Sequence, residues 1–211
     1  GVTYSVTKNA SDVIRILGIN ASNGMPVSEY VYLLENNSMP SYSSSRVDKI
    51  GDAVYTGNGK FLVIERDSEG PAVKEGKKFV FEINLTGATN VLTETDTLEI
   101  RSADELKANG ITAVHKTKVL NLPSVGYQGS DKAEGIALLP NNEIAVMNDN
   151  DFGLAGAGVT DNSVLGIISF GSDYSMDASN KDNAVSLKNY PVLGMYMPDG
   201  IASYETNGIN Y

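Results

Sequence analysis

Carboxylates gather at three places in this sequence. Ile64-Glu65-Arg66-Asp67 and Asp131-Lys132-Ala133-Glu134-Gly135 set acids beside apolar runs and turn residues, and Asn148-Asp149-Asn150-Asp151 alternates acids with amides. Oxygen-rich segments of this kind suit a hard cation such as Ca²⁺, which takes six to eight oxygen ligands and therefore needs several segments at once. The Asn148 to Asp151 run resembles part of a calcium loop but lacks the glycine and the glutamate that complete an EF-hand. The same side chains also cap turns, because Asp and Asn accept hydrogen bonds from nearby backbone N–H groups. At the level of sequence both readings stand.

Other chemistries find little support. His115 is the only histidine and lies between Val114 and Lys116 in a strand-like run, a setting more typical of a surface strand than of an acid–base catalyst. No Gly-x-Ser-x-Gly elbow is present, so a serine-hydrolase triad has neither its nucleophile turn nor a well-placed base. Walker-type and dinucleotide-binding glycine motifs are absent as well. Cysteine is missing altogether, which excludes disulfides, thiolate nucleophiles and zinc-thiolate sites.

Sixteen Lys and Arg stand against 26 Asp and Glu over 211 residues, a net charge of -10, so the chain's own field opposes a general grip on nucleic acid. With 41% hydrophobic residues the chain can bury a sizeable core. No run approaches the ~18 apolar residues of a membrane span, and no basic-plus-apolar leader opens the sequence, so an exported form would already have lost its signal. A cysteine-free acidic chain fits a larger exoprotein that relies on its core and on bound ions. Four Asn-x-Ser/Thr sequons, at Asn9, Asn20, Asn36 and Asn84, are explained equally well by chance in an Asn-rich chain.

The elements that must position these acids read as strands. Period-2 segments run over Tyr30 to Leu34, Phe61 to Ile64, Lys78 to Leu85, Val114 to Leu120, Ile144 to Met147 and Val164 to Phe170, each bounded by Gly, Asn, Asp or Pro. One helix is predicted, Ser102 to Asn109, with Ser102 as N-cap, Glu105 completing a capping box and Gly110 as the stop. The Gly/Asn-rich stretches 153–162 and 171–183 read as loops.

Three segments align without gaps: GDAVYTGNGKFLV from Gly51, EGIALLPNNEIAV from Glu134 and DGIASYETNGINY from Asp199. Each reads as a β-hairpin, two short strands around Asn-Gly or Asn-Asn. Acids recur at or next to the first position, as Asp52, Glu134 and Asp199. The copies start farther apart than the roughly 40–50 residues of a compact four-stranded blade, which implies blades carrying insertions. The fold class expected is therefore all-β, a partial β-propeller over residues 1–211 with repeat hairpins at 51–63, 134–146 and 199–211. About three blades are present, and a propeller closes with four or more. The third hairpin stops at Tyr211 in mid-strand, so the expected partner is the rest of the same propeller, as further polypeptide or as a second chain.

These residues also carry a family resemblance. DKIGDAVYTGNGKFLVIERDS (Asp48 to Ser68) and DKAEGIALLPNNEIAVMNDNDFG (Asp131 to Gly153) resemble the phytase-like domain, also called the esterase-like domain of phytase. The ending YPVLGMYMPDGIASYETNGINY (Tyr190 to Tyr211) resembles bacterial surface proteins of the choice-of-anchor I group, described as alkaline phosphatase-like. The resemblance implies a secreted or cell-surface propeller, stabilised by Ca²⁺, with phosphoesterase activity on a phosphorylated small molecule. Carried over by motif, it implies Glu65, Arg66 and Glu134 as catalytic or phosphate-contacting residues and Asp52, Asp67, Asp149, Asp151 and Asp199 as metal ligands. The alternative is a non-catalytic cell-envelope module for binding or assembly, in which Arg66 is simply part of an ion pair at a blade edge.

Overall fold

The computed structural model describes residues 11–35, 40, 43–70, 76–127, 132–150 and 163–170 in full, and the backbone alone of 186–190, 205–206 and 209–210. The strands are β1 (Val13–Ile19), β2 (Pro26–Leu33), β3 (Lys49–Gly57), β4 (Lys60–Arg66), β5 (Lys78–Asn84), β6 (His115–Asn121), β7 (Ala133–Leu139), β8 (Glu143–Asn148), β9 (Leu165–Ser169), β10 (Ser186–Tyr190), β11 (Glu205–Thr206) and β12 (Ile209–Asn210). One α-helix, α1 (Ala103–Ala108), and two 3-10 turns, Leu98–Ile100 and Leu122–Val125, complete the described elements.

Two four-stranded antiparallel meanders dominate, in the orders β3-β4-β5-β6 and β10-β9-β8-β7, and β1-β2 and β11-β12 form two-stranded sheets. Each meander is one propeller blade. Their first hairpins turn in the same way. Asn58 (φ 51°) and Gly59 (φ 75°) link β3 to β4, and Asn141 (φ 64°) and Asn142 (φ 59°) link β7 to β8 at matching places in the gapless alignment. Two successive positive φ angles make a type I′ turn, whose twist suits a hairpin and which Asn and Gly tolerate best. The 199–211 segment contributes β11 paired with β12, Thr206 opposite Ile209; Asp199 itself and the 153–162 and 171–183 loops lie outside the described residues.

The sheets stack through their apolar faces. Because side chains alternate along β4, Leu62 and Ile64 point to one side, where they join Val80, Leu122, Ile136, Ile144, Val146 and Ile168 between the two blades. Val63 points to the other side, with Phe81 and Ile83, against Tyr32 of β2 and Leu34, which follows that strand. The central blade is thus covered on both faces, which is why β4 is buried continuously from Leu62 to Arg66. The chain is an all-β partial β-propeller.

Residues 85–114, between β5 and β6, form an excursion over the outer face of β1-β2. Ser102 caps α1: its Oγ accepts from the Glu105 N–H while the Glu105 carboxylate accepts from the Ser102 N–H, the capping box expected from sequence. Val91, Leu98, Leu106 and Ile111 pack on Val13 and Val31. The excursion also binds the β2 edge, since the Val91 N–H donates to the Glu29 carbonyl at 2.8 Å and the Val114 N–H to the Val31 carbonyl at 2.9 Å.

Arg15 fastens the excursion by bridging Glu99 (2.5 Å) and Glu29 (2.9 Å). The Arg15 hydrogen bond holds the Glu99 carboxyl below its ordinary range, against a smaller opposing effect of burial. A carboxyl depressed in the folded state stabilises above its unfolded pKa and loses that contribution as pH falls through the folded value. Urea unfolding of Glu99→Gln and the parent should therefore differ at pH 7 and converge as the pH drops below the ordinary carboxylate range, near 4.5.

Candidate functional site

Antiparallel connection brings the start of β3, the end of β4, the starts of β5 and β7, and the end of β8 to one end of the two blades. That end carries most of the acids singled out in the sequence. It is also where the blades approach most closely. An added Cβ on Gly51 would lie 2.2 Å from the Ala133 carbonyl oxygen and 3.2 Å from the Glu134 Cα, so β3 and β7 meet backbone to backbone.

Asp52 ties this junction. One carboxylate oxygen accepts from its neighbour Ala53 N–H at 2.8 Å, and the other accepts from the Ile136 N–H of the next blade at 2.9 Å. Arg66, buried at the end of β4, forms an ion pair with Glu134 of β7, whose carboxylate remains partly open. The pair joins the two blades across 68 residues of sequence. Arg66 is thus ion-paired with a residue of the neighbouring blade.

Asp67, one residue further, is fully buried and paired with Lys78, itself 4% exposed. The Asp67 carboxylate also accepts from the Lys77 N–H at 2.8 Å and the Glu69 N–H at 3.2 Å, and the Lys78 ammonium donates to the Glu69 carbonyl at 2.9 Å. Its oxygens are committed to one cation and two amides.

Glu65 points the opposite way, as alternation along β4 requires, into the layer shared with β1-β2. There it accepts from the Tyr32 hydroxyl, from Lys116 Nζ at 2.5 Å and from the Glu35 N–H at 2.9 Å. Lys116 Nζ also lies 4.2 Å from the Phe81 ring centroid and 5.0 Å from that of Tyr32. Burial, followed by the Glu65 charge and hydrogen bond, pushes the Tyr32 phenol far above its ordinary value, so it stays neutral and donates. Glu65 is consequently separated by the thickness of a blade from Arg66 and Glu134, and the structure does not gather these three into one constellation.

The open part of the end comprises Asp48, Lys49, Lys132, Glu134 and Asp149. Lys49 Nζ donates to Asp48 at 2.5 Å and to the Ser68 hydroxyl at 2.7 Å. Lys132 Nζ lies 3.9 Å from the Asp149 carboxylate, and the Asp149 N–H donates to the Lys132 carbonyl at 3.0 Å. Asn148 orders the neighbouring chain by accepting from the Val164 N–H at 2.7 Å. Among the described residues no three acids or histidines are grouped so as to hold a metal ion. Asp67 and Glu65 are neutralised by lysines and Glu134 by Arg66, so these acids do not fit a calcium site; Asp151 and Asp199 lie outside the described residues. His115 is exposed at the start of β6, away from this end.

Sequence reasoning missed Lys78, Lys116, Tyr32, Lys49 and Lys132. The readable signal was a lysine at an inward position of an apolar strand, as in Lys78-Phe-Val-Phe, because a buried ammonium requires an acid partner.

A family model described as phytase-like, esterase-like activity of phytase, matches residues 3–152, a span that takes in β1 to β8, both type I′ hairpins and the Arg66–Glu134 junction. No curated protein and no solved structure matches the chain. With that match covering well over half of its length, the chain belongs to the phytase-like family.

Proposed function

We propose that the chain is part of an extracellular phytase-like propeller that hydrolyses phosphate esters of small organic molecules at the open end of its two blades. The observation that carries this reading is the set of partly exposed cations and carboxylates at that end, Lys49 and Lys132 beside Glu134 and Asp149, in a chain of this family. Ammonium groups there neutralise phosphate charge, and a carboxylate takes the proton of the attacking water. Water adds to phosphorus, the bond to the organic oxygen breaks, and the alcohol leaves with a proton. In this reading calcium would be held by Asp149, Asp151 and Asp199 rather than by Asp67 or Glu65. Further strands, on the same polypeptide or a second one, complete the ring.

Phosphate release from p-nitrophenyl phosphate and from phytate tests it. The protein should release phosphate above the uncatalysed background, and Lys132→Met combined with Glu134→Gln should lower that rate by about 10²-fold or more. A second reading, a non-catalytic envelope module, is favoured by the way Glu65, Arg66 and Asp67 are engaged by protein groups. Absence of phosphate release from the folded protein would overturn the first reading and leave the second.

A further inference from the structure

The outer face of β1-β2 is only half covered. Its inner half, Val13 and Val31, lies beneath the 85–114 excursion, and Arg15 with Glu29 and Glu99 marks the boundary. Beyond that boundary the same face continues apolar but open: Leu17 is 47% exposed, Ile19 45% and Val27 44%. Ile100, next to Glu99 and 55% exposed, borders it from the excursion, and Met25 at the hairpin tip is 61% exposed. Five of the seven large exposed apolar side chains among the described residues thus surround one surface. Isolated exposed leucines are ordinary; a contiguous cluster rimmed by ion pairs is a contact surface.

The rim selects the partner. Glu94, Asp96, Asp104 and Glu105 are exposed on the excursion, against an exposed Lys107 and a half-buried Arg101 that pairs with Asp96 at 3.5 Å. We infer that this face docks a protein segment with an apolar centre and a basic rim, extending the packing that the excursion already makes on β1-β2. A second copy of this chain is the poorer fit, since two copies would bring the same acidic excursions together at a net charge of -10 each. The surface lies on β1-β2, away from the Lys49 to Asp149 end, and does not depend on the proposed hydrolysis.

Fluorescence anisotropy with a labelled alternating Leu-Lys peptide and its Leu-Glu counterpart provides the test. The whole protein should bind the Leu-Lys peptide more tightly, with affinity falling as salt is raised. Leu17→Ser/Ile19→Ser should weaken binding by about tenfold or more, because the apolar centre carries the contact. Glu94→Lys/Asp96→Lys should weaken it independently. All four substituted positions, Leu17, Ile19, Glu94 and Asp96, are exposed, so unchanged thermal unfolding shows that the variants remain folded. Equal binding by Leu17→Ser/Ile19→Ser would reduce the interaction to general charge attraction and overturn the inference. So would equal affinity for the Leu-Glu peptide, or a dimer in sedimentation that Leu17→Ser/Ile19→Ser dissolves.

Discussion

Lys78→Met should lower the unfolding free energy by about 3–5 kcal/mol, the cost of leaving a buried carboxylate without its cation. Asp67 is fully buried and Lys78 supplies its only described cation, so water cannot take over the ammonium's role. The partner change tells the pair from the packing. Asp67→Asn removes the charge and keeps one oxygen to accept from the Lys77 amide, its NH2 replacing the oxygen shared by Lys78 and the Glu69 amide. The double variant Asp67→Asn/Lys78→Met should therefore recover most of the loss, since replacing a whole buried ion pair is far cheaper than breaking it. Urea unfolding of the four proteins closes the cycle, and additive single effects would contradict the assignment.

The second large effect is expected at Gly51. Its missing Cβ is what allows β3 and β7 to touch, and the three atoms nearest that position all belong to the backbone of Ala133 or Glu134. Backbone cannot swing aside as a side chain can, so Gly51→Ala must part the strands. The expected cost is about 3 kcal/mol, at the upper end for overpacking. The Ile136 amide, held by Asp52 across the same junction, should exchange faster with solvent in the variant. Gly70→Ala, where an added Cβ meets nothing within 4 Å, is the matched control and should leave both readouts unchanged.

These two cases show what a single sequence discloses. Most strands, the capping box and the hairpins around Asn58-Gly59 and Asn141-Asn142 are legible because they follow from residues close together: period-2 alternation, Ser102 with Glu105, Asn with Gly or Asn. β1 is not legible as a strand, because Val-Ile-Arg-Ile-Leu-Gly-Ile is apolar nearly throughout and offers no alternation. The acidic segments were found, yet their roles were not, because a carboxylate's role depends on its partner. Arg66 and Glu134 meet from different blades, and Glu65 meets Lys116 from two strands away. A one-residue step along β4 sends Glu65 and Arg66 to opposite faces, so adjacency in sequence misled where alternation would have separated them.

The same pairs separate structure from chemistry. Asp67 and Lys78 hold the end of the central blade together, whereas the proposed phosphate chemistry belongs to the open end beside them. The most direct measurement is phosphate release by the folded Asp67→Asn/Lys78→Met protein, compared with the parent on p-nitrophenyl phosphate. The expected result is a rate within a few-fold of the parent's. A protein that keeps its cooperative unfolding but loses turnover by about 10²-fold or more would make Asp67 part of the reacting site and contradict the account.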